Sequence, residues 1–169
     1  MEPLEMAIRM EMEGKAFYRT ASEKSTDELG KALFARLAGE EDFHAAKARE
    51  IAEFLARGEK PLAIEESLDN GDHIRAIFAE AQKKARSKRR SGTARELDLI
   101  KTALEIEEKS RKFYETHGAS ARTEFERRFF IALSHEERGH YLSLVDYREY
   151  LTDPTGWFTR TERHSLDGG

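Results

Sequence analysis

The sequence predicts an all-α protein, an antiparallel four-helix bundle built from two copies of one helix hairpin. Three observations predict it. Apolar residues recur at helical spacing through four long segments. No segment sustains the alternation expected of a strand. The chain also matches itself at a constant offset of 96 positions, from Glu11 to Glu107, Glu41 to Glu137 and His44 to His140.

The first helix is expected over about residues 3–24, with Pro3 in its first turn. Its inner column is Leu4, Ile8 with Ala7, Glu11, Gly14, Tyr18 and Ala21. "KSTDELG" breaks it, and Ser25, Thr26 or Asp27 is placed to cap the next helix. That second helix, about 27–57, carries a stripe of Leu33, Leu37, Glu41, His44, Ala48, Ile51 and Leu55, and stops at Gly58 with Pro61 beyond. Residues 59–72 read as loop. A short amphipathic helix is expected from 73 to about 90, ending in "KKARSKRR". "SGT" opens a third long helix, about 93–117, with Leu97, Ile100, Leu104, Glu107 and Tyr114 on one side, broken by "HGAS". The fourth, about 120–152, stops at Asp153-Pro154. A helix of about 30 residues spans roughly 45 Å, a length suited to a bundle.

The self-match covers both helices of each half. Phe17 and Tyr18 fall on Phe113 and Tyr114, and Phe34 and Leu37 on Phe130 and Leu133. A register kept across two separate helices marks a duplicated hairpin. The expected organisation is a bundle over residues 1–152 (repeat one 4–57, crossover 58–92, repeat two 93–152) and a C-terminal extension, 153–169.

Composition narrows the function. The 169 residues contain no cysteine, which excludes disulfides, thiolate metal sites and a cysteine nucleophile. No apolar run approaches the roughly 20 residues of a membrane span. The N-terminus lacks a basic start followed by an apolar stretch, so no secretory leader is expected, and a cytoplasmic setting fits. A net charge of −4 argues against nucleic acid as the main ligand. The basic run at 83–90 could meet nucleic acid or an acidic donor protein, but it is more simply a solvated helix end.

The chemistry lies in the stripes. Each half supplies one Glu on its first helix and Glu-x-x-His on its second, and residues at i and i+3 share a helix face. The set is Glu11, Glu41, His44, Glu107, Glu137 and His140. Four carboxylates in one core would repel severely. Two divalent cations would balance them and leave the histidines neutral, as ligation requires. Oxygen and imidazole ligands without sulfur suit iron or manganese, with zinc also possible. Tyr18 and Tyr114, seven residues after Glu11 and Glu107, are placed either to hydrogen-bond ligand carboxylates or to serve as core aromatics. Phe17, Phe34, Phe113, Phe129 and Phe130 read as core. Glu13, Glu40, Glu105 and Glu136 read as solvated or as neighbours of the site rather than ligands. His73, His117, His135 and His164 lack a Glu three residues before them and are not expected to bind metal.

"AIRMEMEGKAFYRTA" with "LAGEEDFHAA", then "ALEIEEKSRKFYE" with "LSHEERGHYLSL", resembles the rubrerythrin-type ferritin-like domain over residues 4–151. The resemblance implies a ferritin-like bundle with a non-haem site of two iron ions. By position, Glu41 and Glu137 match bridging carboxylates, Glu11 and Glu107 terminal ones, and His44 and His140 one imidazole per metal. It also implies a di-iron oxidoreductase reducing hydrogen peroxide or dioxygen, or alternatively an iron-sequestering ferroxidase. Two departures matter. The cysteine-rich rubredoxin-like domain of full-length rubrerythrins has no counterpart here, so electrons are expected from an external donor protein. Ser110 stands where rubrerythrins carry an additional Glu, leaving a symmetric six-ligand set closer to ferritins and bacterioferritins. A homodimer is expected from the resemblance and from the tail aromatics Trp157 and Phe158, which should dock on the bundle or on a second subunit.

Overall fold

A computed structural model describes residues 2–58, 93–157 and 159. Four helices account for nearly all of them: α1 (Pro3–Lys24), α2 (Glu28–Ala56), α3 (Ala94–Ser120) and α4 (Glu124–Thr152). No strand occurs among the described residues. The expected loop at 59–72, the short helix at 73–90 and the basic run all lie outside them.

Local chemistry sets the ends of the helices. Pro3 opens α1, where its missing N–H costs nothing. Asp27 caps α2 by accepting from the Gly30 amide at 3.0 Å. Gly58, beyond the C-terminus of α2, takes φ +71°, a conformation that glycine adopts without penalty. Thr93 caps α3 through the Glu96 amide. Two boundaries differ from expectation. "HGAS" does not break α3, which runs on to Ser120. Gly118 faces α4 there, and a Cβ would lie 3.2 Å from Ile131 Cγ1, so the glycine permits a close crossing rather than ending the helix. The fourth helix starts at Glu124 rather than 120, because Thr123 and Glu126 form a reciprocal capping box.

The helices pack as two hairpins, α1 against α2 and α3 against α4, with α1 facing α3 and α2 facing α4 between them. Two apolar clusters fill the interior. One gathers Tyr18, Phe34, Leu37, Ile100, Leu104, Leu144 and Tyr147. The other gathers Leu4, Ala48, Ile51, Tyr114, Phe130 and Leu133. Burying each such side chain contributes roughly 1.5–3 kcal/mol. On every helix the chain passes from one cluster to the other through one acidic residue, Glu11, Glu41, Glu107 or Glu137. These therefore form a polar layer between two dry ones. The stripe of α2 is buried from Leu33 to Ile51, but Leu55 is 36% exposed, because the last turn outruns the core. Trp157, in a short helical turn after α4, packs on its own bundle against Tyr150. The Phe158 side chain lies outside the described set.

Candidate metal centre

The polar layer brings together all six residues singled out from the sequence. Glu11, Glu41, His44, Glu107, Glu137 and His140 are each at most 4% exposed. Their ligand-capable atoms form two overlapping quartets, each with atoms within 4.8 Å of one another. One is Glu11, Glu41, His44 and Glu137, and the other is Glu41, Glu107, Glu137 and His140. Glu41 and Glu137 belong to both. The helices enforce this arrangement. Each Glu-x-x-His presents its carboxylate and imidazole one turn apart on the inward face, and the duplicated hairpin supplies the mirror set.

Both imidazoles turn Nδ1 toward the carboxylates. His44 Nδ1 lies 3.3 Å from Glu11 Oε2. His140 Nδ1 lies 3.4 Å from Glu41, 3.5 Å from Glu107 and 3.9 Å from Glu137. The two rings stack at 5.7 Å. Despite these close approaches, Glu11 Oε2, His44 Nδ1, Glu107 Oε2, Glu137 Oε1 and His140 Nδ1 have no hydrogen-bond partner. Five orphaned polar atoms in one buried layer are costly unless something else satisfies them. All five are oxygen or imidazole donors directed at a shared centre, so the set fits divalent cations.

Burial and crowding shift the titrations strongly. Burial pushes Glu41 well above the usual carboxylate range, and the Glu11 charge adds to it. Burial and the Glu107 charge do the same to Glu137. Burial also pushes Glu11 up, but the neighbouring Glu41 and His44 outweigh that and leave it below the usual value. For Glu107 the burial penalty is outweighed by the His140 charge and the neighbouring Glu137. Burial alone would lower His140, yet Glu107 and Glu40 raise it well above an ordinary imidazole. Burial and mutual repulsion therefore favour the protonated forms of Glu41 and Glu137, and the surrounding carboxylates favour protonated His140.

Three further groups hold the layer in place. The Tyr18 hydroxyl donates to Glu107, and the Tyr114 hydroxyl donates to Glu11, so each tyrosine bonds the carboxylate of the opposite repeat. Gly14 lets Glu41 approach α1, since a Cβ there would lie 3.2 Å from Glu41 Oε2. Glu40 meets His140 Nε2 at 2.9 Å while Arg36 Nε pairs with it at 2.5 Å. Burial pushes the Glu40 carboxyl up, but its bond with His140 outweighs this and leaves it lowered. An ionised carboxylate only accepts, so Nε2 carries the hydrogen and Nδ1 faces the centre. Sequence reasoning placed Glu40 near the site without this role. The available signal was Arg36 four residues before it, where the second repeat has Ala132. Sequence reasoning missed Glu96 altogether. This carboxylate is buried at the N-terminus of α3 and accepts from Ser25, Thr26 and Tyr147. Glu13 and Glu105 are exposed, as is His135, while His117 packs among Phe113 and Phe130. His73 and His164 lie outside the described residues.

No helix among the described residues is long and apolar enough to cross a membrane. Comparison with known proteins yields one result. The Rubrerythrin family profile matches residues 2–147, most of the chain and all six clustered side chains. No curated protein and no solved structure matches the chain. With that match and this buried layer, the chain belongs to the rubrerythrin family.

Proposed function

We propose that the protein is a di-iron oxidoreductase that reduces hydrogen peroxide or dioxygen with electrons from an external donor protein. The observation that carries this reading is the pair of buried quartets sharing Glu41 and Glu137. In this reading Glu11 and His44 would hold one ion, Glu107 and His140 would hold the other, and Glu41 and Glu137 would be available to both. Iron is the metal favoured by the family, and manganese or zinc would suit the same donors. When bound, a pair of ferrous ions supplies two electrons to the oxidant.

The protein's own residues perform the rest. The two apolar clusters exclude bulk water from both sides of the layer, which strengthens every electrostatic contact within it. Tyr18 and Tyr114 fix the orientation of Glu107 and Glu11 by donating to them. Glu40 fixes the His140 tautomer and ring plane. Metal loading would compete with protonation of Glu41, Glu137 and His140. The functional unit in this reading is residues 1–152, acting as a cytoplasmic homodimer, with 153–169 an extension.

A second reading, iron sequestration by a ferroxidase, draws on Ser110. This buried residue stands where the family resemblance implies an additional carboxylate. Anaerobic loading with Fe(II) followed by stopped-flow mixing with hydrogen peroxide and with dioxygen separates the two. Faster oxidation by peroxide, with no mineral formed, is expected from the oxidoreductase. Slow dioxygen consumption with growing mineral supports sequestration, and no oxidation by either contradicts both.

A further inference from the structure

Five rings run in contact from the metal layer to the end of the bundle. Tyr18, whose hydroxyl bonds Glu107, stacks on Phe34 at 6.2 Å. Phe34 meets Tyr147 edge-on at 6.0 Å, Tyr147 stacks on Tyr150 at 6.4 Å, and Tyr150 meets Trp157 at 5.5 Å. The duplication supplies an internal comparison. Tyr114 stacks on Phe130 at the same 6.2 Å and 19° as Tyr18 on Phe34. Beyond that point the repeats diverge, with Ile51 in the place of Tyr147 and Phe54 in the place of Tyr150. An aliphatic side chain therefore fills the equivalent space in the other half, so packing alone does not call for a phenol at 147. The line of oxidisable rings continues on one side only.

Tyr147 has two carboxylates beside its hydroxyl, Asp27 Oδ2 at 3.5 Å and Glu96 nearer. Its hydroxyl lies 3.3 Å from Glu96 Oε2, on a carboxylate only 2% exposed. Glu96 is further held by the Ser25 hydroxyl at 3.0 Å and the Thr26 amide at 2.6 Å. These described partners are all neutral donors. They hold the carboxylate in place, with no cation among them, although a buried carboxylate is ordinarily paired with one. One-electron oxidation makes a phenol strongly acidic, so it proceeds readily only where a base waits for the proton.

We propose that Tyr147, with Glu96 receiving its phenolic proton, is a redox relay that carries single electrons from Trp157 toward Tyr18 and the metal layer. The inference rests on the oxidoreductase reading of that layer. In the relay step Tyr147 loses one electron toward the layer, by way of Phe34 and Tyr18, and its proton passes to Glu96. Tyr147 then regains an electron from Trp157 through Tyr150, and the proton returns from Glu96. A one-electron reductant docking near Trp157 restores the indole. The donor loses one electron, the oxidised metal pair gains it, and every ring ends unchanged.

The test uses the full chain loaded with redox-silent zinc, with ring-deuterated tyrosine and photogenerated tris(bipyridine)ruthenium(III) as the one-electron oxidant. Electron paramagnetic resonance should show a tyrosyl radical whose yield falls about tenfold or more in Tyr147→Phe and in Glu96→Gln, with slower formation in Trp157→Phe. A radical of unchanged yield and lineshape in both Tyr147→Phe and Glu96→Gln would overturn the relay. Circular dichroism shows that each variant is folded, and Glu96→Gln keeps the hydrogen-bonding shape while removing the base. A second arm follows re-reduction of iron-loaded, peroxide-treated protein by reduced methyl viologen. Tyr147→Phe should slow it with iron content unchanged, and an unaltered rate counts against the relay. If the iron is never oxidised, the oxidoreductase reading fails, while the ruthenium arm still decides the relay.

Discussion

Replacing Glu40 with alanine should weaken one metal position and spare the other. Glu40 is the acceptor for His140 Nε2 at 2.9 Å, and Arg36 holds it from the far side. Removing it leaves a buried N–H without a partner, frees the ring to turn, and withdraws a negative charge from beside the layer. Loss of such an outer partner typically lowers metal affinity about 10- to 100-fold, or roughly 1.4–2.8 kcal/mol. His140 belongs to only one quartet, so the loss should fall on only one of two binding steps. Titration calorimetry with zinc, paired with the visible spectrum of the cobalt form, resolves the steps. Glu40→Gln, whose carbonyl can still accept, should recover most of the affinity. Equal weakening of both steps, or of neither, would refute the reasoning.

Tyr18→Phe and Tyr114→Phe should each cost about 1.5–3 kcal/mol of stability in urea unfolding, the range for a hydrogen bond to a charged group. The duplicated ring geometry predicts similar losses, and a clear inequality would contradict it. Gly30→Ala should cost about 1–3 kcal/mol, because the new Cβ falls 2.8 Å from Tyr147 Cζ and 2.6 Å from Ser25 Oγ. An unchanged urea midpoint would show that Tyr147 can move aside. The pH response follows from the shifts. Glu41, Glu137 and His140 have folded-state values raised above their unfolded ones. Their protonated forms stabilise the metal-free fold. Glu41 and Glu137 lose that contribution as pH rises above about 4.5, and His140 as it rises above about 6.5, down to zero net gain beyond their folded values. Lowered Glu11 and Glu107 contribute the opposite way, but only below the usual carboxylate range. Metal binding competes with protonation of these three groups, so the melting temperature gained on loading should widen as pH rises. A gap that narrows with rising pH would contradict this.

Much of the site could be read from the sequence because it is written twice. One Glu-x-x-His says little in a chain this acidic, but two in register with Glu11 and Glu107 fix four helices around one layer. The periodicity located α1 and α2 within a residue or two for the same reason, since long amphipathic stripes leave little choice of face. The misses have local causes. Gly118 reads as a breaker unless one knows that Ile131 presses against it. Thr123 and Glu126 spell a capping box, but "HGAS" offers an earlier and more conspicuous break. Glu40 and Glu96 could not be assigned from one helix alone, since their partners lie about 100 and 70 positions away. Long-range pairing of that kind is set by how the hairpins dock, and no spacing rule within a helix encodes it.

The central claim is that two cations share Glu41 and Glu137 within one buried layer. Metal content per chain, measured on wild type and on single alanine variants after loading with Fe(II) and dialysis, tests it most directly. The account predicts two ions per chain, one for each quartet. It predicts loss of both in Glu41→Ala and Glu137→Ala, and loss of one in Glu11→Ala or His140→Ala. Undiminished metal in Glu41→Ala, or the same partial loss in all four variants, would contradict it.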